Sequence, residues 1–388
     1  MSVVNADSGT STILLRPRPF ALRSGSFLLL PLLPEKEVAK HLPSEIWTQI
    51  LYYAITQYNQ HEKHLSDNYR LGLLLISKTL KDVALPLYYS DVHITNPASL
   101  KRFTGLLHAA DQKWDSIRRI PYSAPGRWVR TLNLAHMRIG LWEEACLVDA
   151  LLTQLFPLVP FLQRMDLNNA ITLSRRAIDS FSYRDGTQNL RFLKGVKVLS
   201  SPLSEFAEDP FMEVLRCSVG LEELAIIGSG SEAIQLGSTN DIEPDVSQLK
   251  PLNLPRLHKL SIVSMHSSSV MLCLLHSPLP SLTHLTVTPY DDISIPSSLV
   301  PRFIDAHGKK LSSLHLYTHK SWPTILFPSP TTLLHTCPTL RHLSLENPLP
   351  TLTICSIYPR HPLQILSLPR PNPEFLSVLE TLLPKLPP

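Results

Sequence analysis

Between Trp128 and Pro369 the chain repeats one pattern nine times: apolar, two variable residues, apolar, one variable residue, apolar. It reads Val129-Leu132-Leu134, Leu162-Met165-Leu167, Leu193-Val196-Val198, Leu221-Leu224-Ile226 and Leu257-Leu260-Ile262. It continues as Leu282-Leu285-Val287, Leu311-Leu314-Leu316, Leu340-Leu343-Leu345 and Leu363-Leu366-Leu368. In a strand, side chains alternate faces with period two. The second and third apolar positions therefore point inward together, and the residues flanking them point outward. One such strand cannot bury its apolar face; a stack of them can. The middle positions, from 132 to 366, are spaced by 33, 31, 28, 36, 25, 29, 29 and 23 residues, which leaves room for helices between strands. Helical spacing is present in Trp142, Ala145, Cys146, Ala150, Leu151 and Leu152, and again in Phe211, Val214 and Leu215. Pro160, Pro255, Pro280, Pro338 and Pro362 each lie just before a strand, where a helix-ending residue without an N–H belongs.

Phrase and period resemble the leucine-rich repeat, whose unit is roughly 20 to 29 residues. The resemblance implies an α/β solenoid with a parallel sheet on its concave face and helices on its convex face. Such a fold offers a long surface for a partner rather than a central cleft. The repeats are irregular, since the asparagine or cysteine that often follows the phrase is mostly missing. Period two then predicts the residues of the concave surface. They are Arg164, Asp166 and Asn168; Lys259 and Ser261; His284 and Thr286; His315 and Tyr317; and His342, Ser344 and Glu346. Of these, Arg164, Asp166, Lys259, His284, His315, Tyr317, His342 and Glu346 are the candidate target contacts. A metal or phosphate site is the sharper reading of His284, His315 and His342. Three exposed histidines on a polar face are the plainer one, and it is favoured because His315 sits one register position away.

Residues 41 to 89 carry a second pattern. In His41-Leu42-Pro43-Ser44-Glu45-Ile46-Trp47-Thr48-Gln49-Ile50-Leu51, Pro43 occupies the place of a first helical residue and Glu45 the first turn. Ile46 with Ile50 and Trp47 with Leu51 are four apart and form one wide apolar stripe. Gln57 to Asn68 is polar and reads as a loop. A second apolar helix is expected from Leu71 through Leu75, Ile76, Leu80 and Ala84, stopping near Pro86. It is too apolar all round for a lone surface helix.

LPSEIWTQIL, followed after the polar insertion by LLLISKTLKDVALPLYYSDVHI, resembles the F-box of fungal proteins. The match covers residues 42 to about 94, and its pairing with downstream repeats covers nearly all the rest. The insertion at 57–68 is longer than in compact F-boxes. The resemblance implies a non-catalytic substrate receptor of an SCF-type ubiquitin ligase. The F-box docks on a Skp-type adaptor, which attaches to a cullin scaffold, and the repeats hold a target protein. Leu42, Pro43, Ile46, Ile50 and Leu51 would then meet the adaptor, with Leu75, Ser77 and Lys78 from the second helix. Some of these residues would instead pack the helices together. Tyr89 to Ile94 reads as a short strand, followed by Leu100, Phe103, Leu106 and Leu107 at helical spacing. Residues 90–127 thus form a degenerate first repeat or cap, and 128–388 the repeat domain.

Composition narrows the alternatives. The 388 residues are 44% hydrophobic and 18% charged, which is the balance of an ordered chain. A net charge of +4 with basic residues only in pairs, such as Arg118-Arg119 and Lys309-Lys310, lacks the dense stripe of a nucleic-acid binder. Thirty-five prolines against 13 glycines argue against a glycine-rich phosphate loop. The five cysteines, Cys146, Cys217, Cys273, Cys337 and Cys355, match no zinc spacing and read as buried or half-buried thiols of a reducing compartment. No metal or cofactor is expected. His61-Glu62-Lys63-His64 is one residue short of the zincin spacing and reads as solvated, and Gly228-Ser229-Gly230-Ser231 reads as a turn. No run reaches the roughly 18 apolar residues of a membrane span. Residues 1–40 read as a disordered tail, with an organelle-import or secretory segment as the alternatives. The expected setting is cytoplasm, nucleus or both, without membrane or nucleic-acid partners. The rival reading is a repeat scaffold that recruits no ligase.

Overall fold

The chain divides into two units, Met1–Tyr69 and Arg70–Pro388. The structure, a computed structural model, describes residues 4–5, 11–12, 42–58, 72–113, 124–197, 210–228, 250–265, 268–288, 299–317, 332–346, 361–369, 376–377, 379–380 and 383–385. In the first unit, β1 (Val4–Asn5) pairs antiparallel with β2 (Ser11–Thr12). The remainder of the tail expected over 1–40 lies outside the described residues, as do His61 to His64. Helix α1 runs Ser44–Tyr58, so it extends into the segment read as a loop from Gln57. Pro43 stands just before the helix rather than in its first turn. Its carbonyl accepts the N–H groups of Ile46 (3.1 Å) and Trp47 (3.2 Å).

The second unit opens with two helices where one was expected. A turn over 72–75, α2, is followed by α3 (Lys78–Ser90). The break is made by Ser77, which is extended and caps α3 by accepting the N–H of Leu80 at 3.2 Å. Pro86 does not stop α3, which continues to Ser90. As an interior residue it lacks the N–H that would bond the Asp82 carbonyl, so the helix continues with one backbone bond missing. Tyr89 then packs 6.5 Å from the Phe103 ring and 6.0 Å from that of Trp128, joining α3 to α4 (Pro97–Gln112) and α5 (Pro125–Trp128).

The repeated phrase becomes a ten-stranded parallel sheet in strict chain order. Its strands are β3 (Asp91–His93), β4 (Thr131–Asn133), β5 (Arg164–Asp166), β6 (Phe192–Lys197) and β7 (Glu223–Ile227). They continue as β8 (Lys259–Val263), β9 (His284–Val287), β10 (Ser313–Leu316), β11 (His342–Leu345) and β12 (Ile365–Ser367). The strand expected over 89–94 is β3, and Val92 pairs with Leu132. Helices α6 (Trp142–Leu155), α7 (Arg175–Ser182), α8 (Pro210–Cys217), α9 (Ser269–Leu275), α10 (Val300–His307) and α11 (Leu333–Thr336) lie between the strands in sequence. Helix α4 packs on α6, α6 on α7 and α7 on α8.

One backbone device sets the register. The carbonyl of the residue before each strand from β4 to β11 accepts two consecutive N–H groups from the next repeat. Arg130 receives Gln163 (2.8 Å) and Arg164 (2.9 Å), and Gln163 receives Arg191 (2.8 Å) and Phe192 (3.0 Å). Arg191, Glu222, His258, Thr283, Ser312 and Arg341 do the same in turn. Each strand thus starts at the same level, and the inward residues stack. Leu132, Met165, Leu260, Leu314 and Leu343 are fully buried. Removing each from water contributes about 1.5–3 kcal/mol.

The third phrase is corrected. Leu193, not Val196, faces Met165 and Leu224, and the register shifts between Leu193 and Val196. The inward set there is Leu190, Leu193 and Val196, all buried, with one extra residue in the strand. Gly195 accommodates that residue at φ +74, which glycine adopts freely. Val198 lies outside the described residues. A second correction concerns α6. Val148, Leu151, Leu152 and Leu155 are buried, but Trp142 is 74% exposed, and Cys146 and Ala150 are also exposed. The helix is apolar on both sides, so spacing alone selected residues from each. Of the other thiols, Cys273 and Cys337 are buried and Cys217 is half-buried. Burial pushes the Cys337 thiol up to about 12. Among the described residues no helix is long and apolar enough to cross a membrane.

Candidate functional site

The candidate residues lie on α1, at the start of the second unit and on the sheet. On α1 the wide apolar stripe is split. Leu51 and Ile55, four apart, are buried, at 4% and 8% exposure. Ile46 and Ile50, also four apart, are 41% and 44% exposed, and Leu42 ahead of them is 45% exposed. Tyr53 extends that side at 61%. Pro43 is exposed too. Leu51 is therefore a packing residue of the chain as it stands, whereas Leu42, Ile46 and Ile50 stand in water. In the second unit Leu75 is 85% exposed and Ile76 63%. Ser77 holds the α3 cap, and Lys78, the first residue of α3, is exposed.

The third place is the face of the sheet turned away from the buried leucines. Its residues form rows across the strands. One row runs Asp91, Thr131, Arg164, Phe192, Glu223, Lys259, His284, Ser313, His342 and Ile365. The Arg164 guanidinium lies 4.1 Å over the Phe192 ring, a cation–π contact that the phrase pattern did not anticipate. Lys194 forms an ion pair with Glu223. Burial pushes the Glu223 carboxyl up, but Lys194, and at longer range Lys259 and His258, outweigh it and hold the group below the usual carboxylate range. Asp166 lies between Asn133 and Lys194 in the neighbouring row, and its Oδ1 is buried without a hydrogen bond among the described residues.

The histidines do not converge. Ser313 stands between His284 and His342. His342 bridges two hydroxyls, its Nδ1 3.1 Å from Ser313 Oγ and its Nε2 2.9 Å from Ser367 Oγ. His284 Nδ1 lies 2.9 Å from Thr283 Oγ1. Burial, with Lys259 and His258, holds the His284 ring below its ordinary pKa, against Glu223. His315 belongs to the next row. Its Nε2 is 3.4 Å from Glu346 Oε1, and its ring meets Tyr317 edge-on at 5.8 Å. Among the described residues no group of three or more His, Cys, Asp or Glu is placed to hold a metal.

Asn168 is the other displaced residue. It does not face outward as a contact but braces the previous repeat. Its Nδ2 donates to the carbonyls of Ala135 (3.1 Å) and Met137 (2.9 Å), and its Oδ1 accepts the N–H of Ala170 at 2.9 Å. The signal available in the sequence was its position just after the phrase Leu162-Met165-Leu167. No family model matches the chain, and no curated protein matches it.

Proposed function

We propose that the chain is a non-catalytic substrate receptor of an SCF-type ubiquitin ligase, with an F-box over 41–89 that docks on a Skp-type adaptor and leucine-rich repeats that hold a target protein. One observation carries the reading. Helix α1 has a buried side at Leu51 and Ile55 and a second apolar side, Ile46 and Ile50, left in water. A surface helix normally turns polar residues to solvent. Covering what Leu42, Ile46 and Ile50 still expose, a little under half of each, would contribute about 1 kcal/mol for each side chain. The exposed Leu75 and Ile76 offer the same chemistry from the second unit. The sheet supports the second half of the reading, because its polar face presents side chains from ten parallel strands in chain order.

The test is co-purification of the full chain with the adaptor. Ile46→Asp is expected to abolish it, because a carboxylate pressed into an apolar interface loses several kcal/mol or must take up a proton. A folded Ile46→Asp chain that still retains the adaptor contradicts the reading.

A further inference from the structure

The register of β7 to β12 shapes the polar face. The first row there is bulky over three strands, with Glu223, Lys259 and His284, and again at His342. The row two residues on is small: Ala225, Ser261, Thr286, then Ser344 and Ser367. His315 is its one large member, and it is engaged with Glu346 and Tyr317 on the far side. Beyond that row stand Ile227 and Val263, paired across β7 and β8, with Tyr317 and Glu346 further along. Small residues between two taller rows make a trough running across the strands. With strands about 4.8 Å apart, the row from Ala225 to Ser367 is about 24 Å long, and His315 stands in it between Thr286 and Ser344.

The floor has unspent hydrogen-bonding capacity. Ser261, Thr286 and Ser344 are half-buried, and their hydroxyls make no hydrogen bond among the described residues. One wall has unspent charge. Lys259 is exposed and has no ion pair among the described residues, while the nearby carboxylate of Glu223 is held by Lys194. Next to it, His284 has its Nδ1 occupied by Thr283, which leaves Nε2 for a ligand. The opposite wall begins with the apolar pair Ile227 and Val263.

We propose that this trough binds an extended peptide segment of alternating acidic and apolar residues. The proposal rests on the receptor reading and gives the target a chemistry. An extended chain rises about 3.3 Å per residue, so about seven residues fill the floor. Its side chains alternate sides. Acidic ones meet Lys259 and His284, apolar ones meet Ile227 and Val263, and the backbone meets the free hydroxyls of Ser261, Thr286 and Ser344.

The experiment is fluorescence anisotropy of the full chain with a labelled octapeptide of alternating Glu and Val. It is expected to bind about tenfold tighter than the Gln/Val peptide, and Lys259→Gln is expected to weaken it about fivefold. Ser344→Phe fills the floor and is expected to abolish binding. Thr286→Val, nearly isosteric, gives a second reading of the floor should Ser344→Phe unfold, and is expected to weaken binding measurably. Arg175→Gln, on helix α7, is expected to change nothing. Equal affinity for the Glu and Gln peptides, tighter binding of a Lys/Val peptide or of a single-stranded RNA dodecamer, or full binding by folded Ser344→Phe would overturn the assignment. Adaptor binding is measured on the same protein. A wild-type chain that binds the peptide and no adaptor overturns the receptor reading alone.

Discussion

Leu193 pairs with Leu224 across the ladder between β6 and β7, and one extra residue is absorbed immediately after it. Gly195 carries that extra residue at φ +74, and a Cβ there would lie 2.1 Å from the carbonyl oxygen of Leu167. Gly195→Ala is expected to destabilise the repeats by about 1–3 kcal/mol from backbone conformation, with the carbonyl clash added. Urea denaturation measures it. An unchanged midpoint would remove the bulge from the account.

Asn168 ties two repeats together through two side-chain hydrogen bonds, and a third, from the N–H of Ala170, holds its own turn. Asn168→Ala leaves the carbonyls of Ala135 and Met137 without this donor, at a cost of about 1–3 kcal/mol. Asn168→Asp is expected to be worse, because a carboxylate cannot donate and faces two carbonyl oxygens. Thermal unfolding of the pair gives the order. If Asn168→Asp were as stable as the native chain, the bracing role would be lost.

The repeats were legible because an inward leucine pair two residues apart, recurring near a strand-plus-helix period, admits few other structures. Leu260, Leu285, Leu314 and Leu343 stack in the predicted order. The third phrase slipped because a bulge inserts one residue, and counting from the apolar Val198 shifted the frame by three. On α1 and α6 the apolar periodicity was visible, but burial was not. A helix apolar on two sides gives the same spacing whether Ile46 or Leu51 faces inward, and whether Trp142 or Val148 does. The histidines illustrate a different limit. His284 and His342 share a row, but only the register shows that Ser313 separates them.

Stability should depend on pH through His307. It is buried on α10, its Nε2 has no hydrogen-bond partner among the described residues, and its ring lies 4.6 Å from that of Phe303. Burial holds its pKa below the ordinary value, against the pull of the Leu274 and Leu275 carbonyls. A depressed folded-state pKa means that the unfolded chain takes up the proton first. The contribution is therefore intact above the unfolded pKa of about 6.5 and is lost as pH falls toward the folded value. Denaturation between pH 7.5 and 5 is expected to show a falling midpoint, and His307→Phe a shallower fall. An identical slope in the variant would assign the effect to other groups.

The two sides of α1 should separate stability from docking. Leu51→Asp buries a carboxylate and is expected to cost several kcal/mol of stability. Ile46→Asp, at a position already in water, is expected to change stability by about 0.5 kcal/mol or less. Chemical denaturation of both variants measures the difference, and equal losses would mean that the helix is packed on both sides.

Amide hydrogen exchange of the full chain, with and without a saturating Skp-type adaptor, tests the receptor assignment most directly. The account predicts that the adaptor slows exchange in the peptides covering residues 42–55 and 72–80, while those covering β7 to β11 keep their free-state rates. Unchanged exchange at 42–55 alongside protection of the sheet face, or no protection anywhere at saturating adaptor, would contradict it.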